Sequence, residues 1–182
     1  MILFTLDSNC IIDLEERRPD AIALERLKEI WLTGSISIAV VSVSASENQP
    51  TGEAMADYAQ FEAKLAGVGL ESALELPPVM YWDFGYWDHC LWASDHTAQE
   101  IADIRDVLFP ASLDHPPSDP SQNSSWRNQT CDVLVAWAHR HYGADHPVTR
   151  DQNFHRKRVA LAGLGVSSIV SPTEALEIAG GA

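Results

Sequence analysis

The chain has 182 residues, 46% of them hydrophobic, which predicts one globular domain with one core. Its formal net charge of −14 argues against nucleic acid as a ligand, because phosphate backbones attract basic surfaces. No apolar run is long enough to span a membrane, MILFTL lacks the cationic flank of a secretory signal, and the three cysteines show no paired spacing. We therefore expect a cytoplasmic protein with no membrane partner, no disulfide framework and no zinc knuckle.

The first third of the chain alternates between strand and helix patterns. MILFTL and SISIAVVSVS are apolar runs rich in β-branched residues, and the second is apolar on both faces, as a central parallel strand is. Between them, Asp20 to Leu32 has apolar residues at helical spacing, and Gly34 ends that helix. After the second strand we expect a helix through ENQPTGEAMADYAQFEAKLAG, capped by Ser44 or Ser46, with Pro50 in its first turns.

Residues 70–125 differ in composition from the rest of the chain. They contain paired prolines, the aromatic run YWDFGYWDHCLW and the loop-like PASLDHPPSDPSQNSS. The aromatic residues are too apolar for a free linker, so we predict an inserted segment packed onto a single domain of residues 1–182. Within it, Thr97 and Glu100 predict a capping box for one helix. Trp82, Trp87 and Trp92 alternate with acids, which favours packing in a core or interface over stacking on bases.

Regular alternation resumes after residue 125 and indicates an α/β fold. The predicted elements are the helix SWRNQTCDVLVAWAHRHYG closed by Gly143, the strand DHPVTR, the helix NFHRKRVALAG and the strand VSSIV. A last helix opens with a capping box formed by Ser171 and Glu174, and Pro172 occupies its first position.

Several acids lie at the predicted carboxyl ends of the parallel strands. In FTLDSNCIIDL, Asp7 ends the first strand; Glu47 follows the second, and Asp151 follows DHPVTR. The carboxyl ends of parallel strands share one edge, which is where ligands bind in open α/β sheets. Asp132 lies inside the helix that precedes the Asp151 strand, beside apolar Val133.

Each acid also has an ordinary interpretation. Asp7 and Asp151 can cap helices, Glu47 can be a first-turn acid favoured by the helix dipole, and Asp132 can lie on a solvated face. If the four acids lie close together, these ordinary interpretations become less favourable than a metal site. Two carboxylates ~4 Å apart repel by roughly 4 kcal/mol at an effective dielectric of ~20. A cation between them removes that cost, and hard oxygen ligands suit Mg²⁺ or Mn²⁺.

The order of these motifs resembles that of PIN-domain nucleases, which include the VapC toxins. LDSNCIIDL resembles their LDTNVLI opening, VSVSASE is similar to their second motif, and CDVLVAWAHRHYGADHPVTRDQNF is similar to their third and fourth. The resemblance covers residues 1–66 and 125–175. It implies a three-layer α/β/α, PIN-like fold with a central, mostly parallel sheet. It also implies a ribonuclease that hydrolyses RNA phosphodiesters with Mg²⁺ or Mn²⁺ as cofactor, with a homodimer and the antitoxin of a toxin–antitoxin pair as expected partners.

The resemblance also implies roles for individual residues. The catalytic and metal-binding acids are Asp7, Glu47, Asp132 and Asp151. The supporting residues are Asn9, Thr149 and Asn153. A basic strip that can dock phosphate consists of Arg150, Arg156, Lys157 and Arg158, although a solvated helix face is an equal alternative. Compact members of the family lack residues 70–125, so their substrate groove does not carry over.

Three other interpretations compete with a nuclease. A PIN-like interaction module would keep the fold while its acids serve structure alone. A phosphotransferase with Asp7 as nucleophile is disfavoured, because LDSN lacks the second Asp two residues later. Ser or Cys catalysis has no support, since no Ser lies in a nucleophile elbow and no Cys has a placed His. We expect His139 and His141 to be ordinary residues of a polar helix face.

Overall fold

The structure is a computed structural model that describes residues 1–47, 55, 57–81, 84–113, 115–118, 123–166 and 168–181. Its centre is a four-stranded sheet of order β3-β2-β1-β4, in which every described pairing is parallel. The strands are β1 (Ile2–Leu6), β2 (Ile36–Val41), β3 (Leu74–Leu76) and β4 (His146–Val148). The predicted α/β fold with a parallel central sheet is confirmed.

Helices cover both faces of this sheet. They are α1 (Ser8–Glu16), α2 (Ala21–Leu32), α3 (Tyr58–Gly67), α4 (Asp95–Leu108), α5 (Asn123–His141), α6 (Gln152–Gly163) and α7 (Pro172–Gly180). No helix in the described ranges is long and apolar enough to cross a membrane.

Strand β2 shows why the sheet needs helices on both faces. Its buried residues Ile36, Ile38 and Val40 belong to the hydrophobic cluster formed with α1, α2, α3 and α7. Ala39 and Val41 belong to a second cluster, formed with α4, α5 and α6. Successive side chains of a strand point to opposite faces, so a strand with apolar residues on both faces must be buried on both.

The helix after β2 begins later than its sequence predicts. Strand β2 passes into a 3-10 helix, Ser42–Ser46, and α3 begins only at Tyr58, where the Asp57 side chain accepts a hydrogen bond from the Gln60 backbone at 3.0 Å. Both serines expected to cap the helix lie instead within the 3-10 helix, and Ser46 Oγ donates to the Phe84 carbonyl at 2.6 Å. The predicted capping by Ser44 or Ser46 is therefore wrong, and the predicted first turns around Pro50 lie outside the described residues.

Two further boundaries differ from the prediction. Helix α4 is capped by Ser94, whose hydroxyl accepts from the Thr97 backbone at 3.2 Å, so Thr97 lies inside the first turn instead of capping it. VSSIV forms no strand among its described residues, where Val170 makes a single isolated bridge to Val148. The last helix has the expected capping box, with Ser171 and Glu174 bonded reciprocally.

The described part of residues 70–125 supplies both a strand and a covering helix. Strand β3 pairs with β2, and α4 packs on α5 and α6, with Ile104 fully buried. Trp87 and Trp92 are 73% and 79% exposed and contact each other edge to face, so of the packing expected in a core or interface, the core alternative is wrong and the interface alternative stays a prediction. Trp82 lies outside the described residues. That the segment is an insertion stays a prediction.

Candidate functional site

Two of the four predicted acids, Asp7 and Asp151, cap a helix and also lie at the edge of the sheet where the site is predicted. Asp7 directly follows β1 and caps α1, with Oδ1 accepting from the Ser8 backbone at 2.7 Å. Asp151 follows β4 after two residues and caps α6, with Oδ1 accepting from the Asn153 backbone at 2.6 Å. Because both helices begin at the carboxyl edge of the sheet, each cap also places a carboxyl group at that edge.

Thr149 and Asn9 connect these two acids. The Thr149 hydroxyl donates to Asp7 Oδ2 at 2.6 Å and accepts from the Asp151 backbone at 3.0 Å. Asn9 Nδ2 donates to Asp7 Oδ2 at 2.5 Å and to the Thr149 hydroxyl at 2.9 Å. Thr149 is 1% exposed and Asp7 is 6% exposed, so these bonds fix a carboxyl group that is largely removed from water.

The other two acids lie within electrostatic range of Asp7 and Asp151. Burial, followed by the charge of Asp7, raises the pKa of Glu47 to about 7. Burial raises the pKa of Asp132 well above its usual range, and the charges of Asp7, Glu47 and Asp151 add to that effect. Burial also raises the pKa of Asp7, with a smaller contribution from Asp151. Neighbouring carboxylate charges therefore add to burial in disfavouring the ionisation of Asp7, Glu47 and Asp132.

The chemistry of this acid cluster (Asp7, Glu47, Asp132 and Asp151) fits a hard divalent cation, because its donors are carboxylate oxygens whose repulsion a cation would relieve. The side chains of the cluster are spaced more widely than the ligands of an assembled metal site. Within the described ranges, no three Asp, Glu, His or Cys side chains converge closely enough to form a ready-made coordination site. The cluster has the donors of a magnesium or manganese site without an assembled shell.

Two residues outside the predicted set, Ser8 and Lys64, also interact with this cluster. The Ser8 side chain hydrogen-bonds Glu47, and the charge of Lys64 opposes the rise in its pKa. Lys64 comes from α3, where its Nζ also pairs with Glu15 at 2.9 Å. Ser8 was recognisable as a polar residue directly after Asp7, but nothing in the pattern around Lys64 distinguishes it from an ordinary surface lysine.

The residues of the predicted basic strip have different environments. Arg150 pairs with Asp13, Nε to Oδ2 at 3.1 Å, and Lys157 Nζ donates to the Leu108 carbonyl at the end of α4. Arg156 and Arg158 are exposed on α6. The side chain of Asn153 also donates to the Leu108 carbonyl, at 2.9 Å, while its backbone amide donates to Asp151. The strip stays a prediction, with two of its cations bound within the fold.

His139 is buried, in contrast to the polar helix face expected for it. It is 1% exposed, and its Nδ1 lies 3.0 Å from the Thr5 hydroxyl on β1. Its Nε2 has no hydrogen-bond partner in the described part of the chain. Burial, with a contribution from His146, lowers its pKa to about 4, against a weaker opposing effect of Asp145. His141 is exposed and stacks on Trp137, with ring centroids 4.5 Å apart.

The buried His139 predicts a loss of stability in acid. The unfolded chain binds a proton near pH 6.5 and the folded chain only near pH 4, so the unfolded state holds more protons between these values. We expect His139 to lower the free energy of unfolding by about 3 kcal/mol as the pH falls through this window.

Denaturant titrations of wild type and His139→Gln at several pH values between 7 and 4 measure this effect. The raised pKa values of the acid cluster act in the opposite direction, but they are common to both proteins and cancel in the comparison. The matched control is His96→Gln, because the His96 side chain is 83% exposed. Equal pH dependence in His139→Gln and wild type would contradict the prediction.

Comparisons with known proteins support the fold. No family profile and no curated protein sequence matches this chain. Among solved structures, the chain is similar to the crystal structure of VapBC2 from Rickettsia felis bound to a DNA fragment from their promoter. The match has 16% sequence identity and a TM-score of 0.50, and it covers 93% of this chain and 98% of that chain. At this identity the likeness establishes the fold alone, and the parallel sheet between helices is consistent with a PIN-like fold.

Proposed function

We propose that this protein is a divalent-metal-dependent ribonuclease with a PIN-like fold, related to the VapC toxins. The observation that carries the proposal is the electrostatic coupling of Asp7, Glu47, Asp132 and Asp151. They belong to four different parts of the chain, and burial together with neighbouring carboxylate charges raises the pKa values of Asp7, Glu47 and Asp132. Such an arrangement costs stability, and a cation-binding function accounts for that cost.

In the proposed mechanism, the four carboxyl groups would hold Mg²⁺ or Mn²⁺ through their oxygens. When bound, the ion lowers the pKa of an attacking water and neutralises charge on the leaving oxygen of the phosphodiester. The chain's own part is to orient the ligands. Thr149 donates to Asp7 Oδ2, and the backbone amides of Ser8 and Asn153 hold Oδ1 of Asp7 and of Asp151. Cation binding would also compete with protonation of Glu47, whose pKa burial raises to about 7.

The partners and setting follow from the same proposal. The similar Rickettsia structure is a VapBC2 complex bound to DNA from its promoter, which supports an antitoxin protein as a partner of this chain. We propose RNA as the substrate, a homodimer as the assembled form and the cytoplasm as the location. We also propose that residues 70–125 are an insertion that packs on a single domain of residues 1–182.

Substrate phosphate would dock on the positive side chains beside the acid cluster. Arg156 and Arg158 project from α6, the helix that Asp151 caps, and both are exposed to an incoming strand. Phosphate contacts of this kind position the RNA without reading its sequence. They also offset, at short range, the repulsion expected between RNA and a chain of net charge −14.

The proposal is tested by incubating the purified protein with end-labelled single-stranded and structured RNA. We expect cleavage in Mn²⁺ or Mg²⁺, loss of cleavage in excess chelator, and recovery when the metal is restored. A DNA of the same sequence is the matched substrate control. Intact RNA at excess protein, across a mixed-sequence pool and with either metal, would contradict the nuclease assignment.

A non-catalytic PIN-like interaction module is the second candidate. The observation that favours it is the open spacing of the described acids, among which no three converge as an assembled metal site. This candidate predicts that the protein binds a partner and cleaves no RNA. It also predicts that Asp132→Asn leaves partner binding unchanged, which a pull-down with a co-expressed partner measures.

A further inference from the structure

A buried ion cluster lies next to the acid cluster but outside it. Asp13, on α1, has a side chain with 0% exposure; Arg150 Nε lies 3.1 Å from its Oδ2, and a terminal nitrogen of Arg18 lies 3.5 Å from its Oδ1. Neither oxygen has a hydrogen bond of good geometry within the described residues. A buried carboxylate is costly unless it is paired, so the two arginines compensate its charge.

One of these arginines belongs to the loop that carries Asp151. Arg150 stands between Thr149 and Asp151, and its backbone amide donates to Asn9 Oδ1 at 3.3 Å. Asn9 and Asp13 are four residues apart and therefore share one face of α1. This face holds the backbone of Arg150 through Asn9 and its side chain through Asp13, so the loop is attached to α1 at two points.

The same loop sets the distance between two members of the acid cluster. Thr149 bonds Asp7 on one side of Arg150, and Asp151 follows on the other. Arg150 is covalently next to Asp151, so a movement of Arg150 away from α1 would be expected to displace Asp151 relative to Asp7 and to load the Thr149 bonds that link them. The chain could bury an apolar residue at position 13 more cheaply, since a buried ion pair contributes little net stability compared with apolar packing. The location of the pair indicates a role other than stability.

We propose that Asp13 and Arg150 are positioning residues that hold Asp151 against Asp7 and so keep the acid cluster competent to bind a divalent cation. The proposal deepens the ribonuclease function and rests on it for the cation. The effect on the loop itself is independent of that function.

Arg18 provides an internal control for a merely structural role. It is the other cation beside Asp13, and its side chain is exposed to a similar degree, 34% against 40% for Arg150. Arg18→Gln and Arg150→Gln both remove one compensating charge from the same buried carboxylate. Only Arg150 lies on the loop that carries Asp151, so only Arg150→Gln is expected to release that loop. A purely structural cluster predicts similar consequences for the two variants.

The experiment measures backbone amide hydrogen exchange and Mn²⁺-induced thermal shifts in the full chain. In Arg150→Gln we expect the amides of residues 150–153 to exchange about tenfold faster without metal, because a lost charge-assisted contact raises the open population. We also expect at least half of the wild-type Mn²⁺ shift to be lost. Arg18→Gln should keep wild-type exchange at these amides and a wild-type Mn²⁺ shift, even if it melts at a lower temperature.

A second variant guards against misfolding of the first. Asp13→Asn removes the buried charge, so it should fold, yet it leaves Arg150 without its partner and should loosen the same amides. Equal exchange at residues 150–153 in Arg18→Gln, Arg150→Gln and Asp13→Asn would overturn the proposal. A wild type without any Mn²⁺ shift would contradict the metal-dependent function instead, and the exchange comparison would still decide the positioning role.

Discussion

Replacing Asp7 or Asp132 by Asn is expected to reduce metal-dependent RNA cleavage by about a thousandfold or more. Several kcal/mol of transition-state stabilisation depend on a correctly held cation, and each 1.36 kcal/mol corresponds to a factor of ten in rate. The folded structure should survive both changes. The Asn side chain keeps an oxygen that can accept the Ser8 amide bond at position 7, and Asp132→Asn removes a charge that burial already disfavours. Rates of cleavage of labelled RNA and circular dichroism spectra check the two statements.

The matched control for this experiment is Asp57→Asn. Asp57 is also an N-cap aspartate, since its side chain accepts from the Gln60 backbone at 3.0 Å, but it caps α3 and is exposed. Its replacement should leave cleavage unchanged. Full activity in both Asp7→Asn and Asp132→Asn would reject the catalytic assignment of the acid cluster.

Mn²⁺ is expected to reverse the stability order of wild type and Asp7→Asn. Without metal at pH 8, wild type carries the repulsion between Asp7 and the other acids, so the variant should be the more stable protein. With Mn²⁺ at a hundredfold excess over Kd, wild type should gain about 2.7 kcal/mol, because a ligand that binds only the folded state stabilises it. The variant, with one ligand replaced, should gain much less. Thermal melts with and without Mn²⁺ measure both effects without knowledge of the RNA target.

The pH dependence of the metal-free difference gives an independent check. The folded-state pKa of Asp7 is raised, so folded wild type binds a proton more readily than the unfolded chain and gains stability as the pH falls through that pKa. The advantage of Asp7→Asn should therefore shrink from pH 8 towards pH 5. An equal Mn²⁺ shift in the two proteins would mean that Asp7 does not hold a cation.

The parts of the fold that sequence predicts well are those where local pattern and burial agree. Strand β2 is apolar on both faces and lies between two helical layers, and the capping box of Ser171 and Glu174 forms as expected. The sequence predictions fail where a residue far away in the sequence determines the local structure. Ser46 bonds the Phe84 carbonyl and leaves capping of α3 to Asp57. Strand β3 has three residues, of which only Leu76 is buried, so its pairing with β2 leaves little trace in the sequence.

The candidate site also contains residues that the sequence predicts and contacts that it does not. Asp7 and Asp151 were recognisable because each directly follows a strand pattern and precedes a helix, a position that the order of residues alone defines. The electrostatic effect of Lys64 on Glu47 and the pairing of Arg150 with Asp13 join residues far apart in sequence. Asp13 carries a weak signal, a charged residue within the apolar spacing of α1, but its partner is visible only in three dimensions.

Asp7 and Asp151 each cap a helix and also belong to the acid cluster, and this combination has an evolutionary consequence. Each carboxylate caps a helix with one oxygen, and asparagine caps helices about as well as aspartate. A single nucleotide change converts an aspartate codon into an asparagine codon, so folded descendants without the acidic charge lie one step away at either position. Selection for folding alone would not remove them. Retention of aspartate at both positions across a lineage would therefore indicate selection on the negative charge itself. Replacement by asparagine would indicate a lineage that has retained the fold and lost the proposed cation binding.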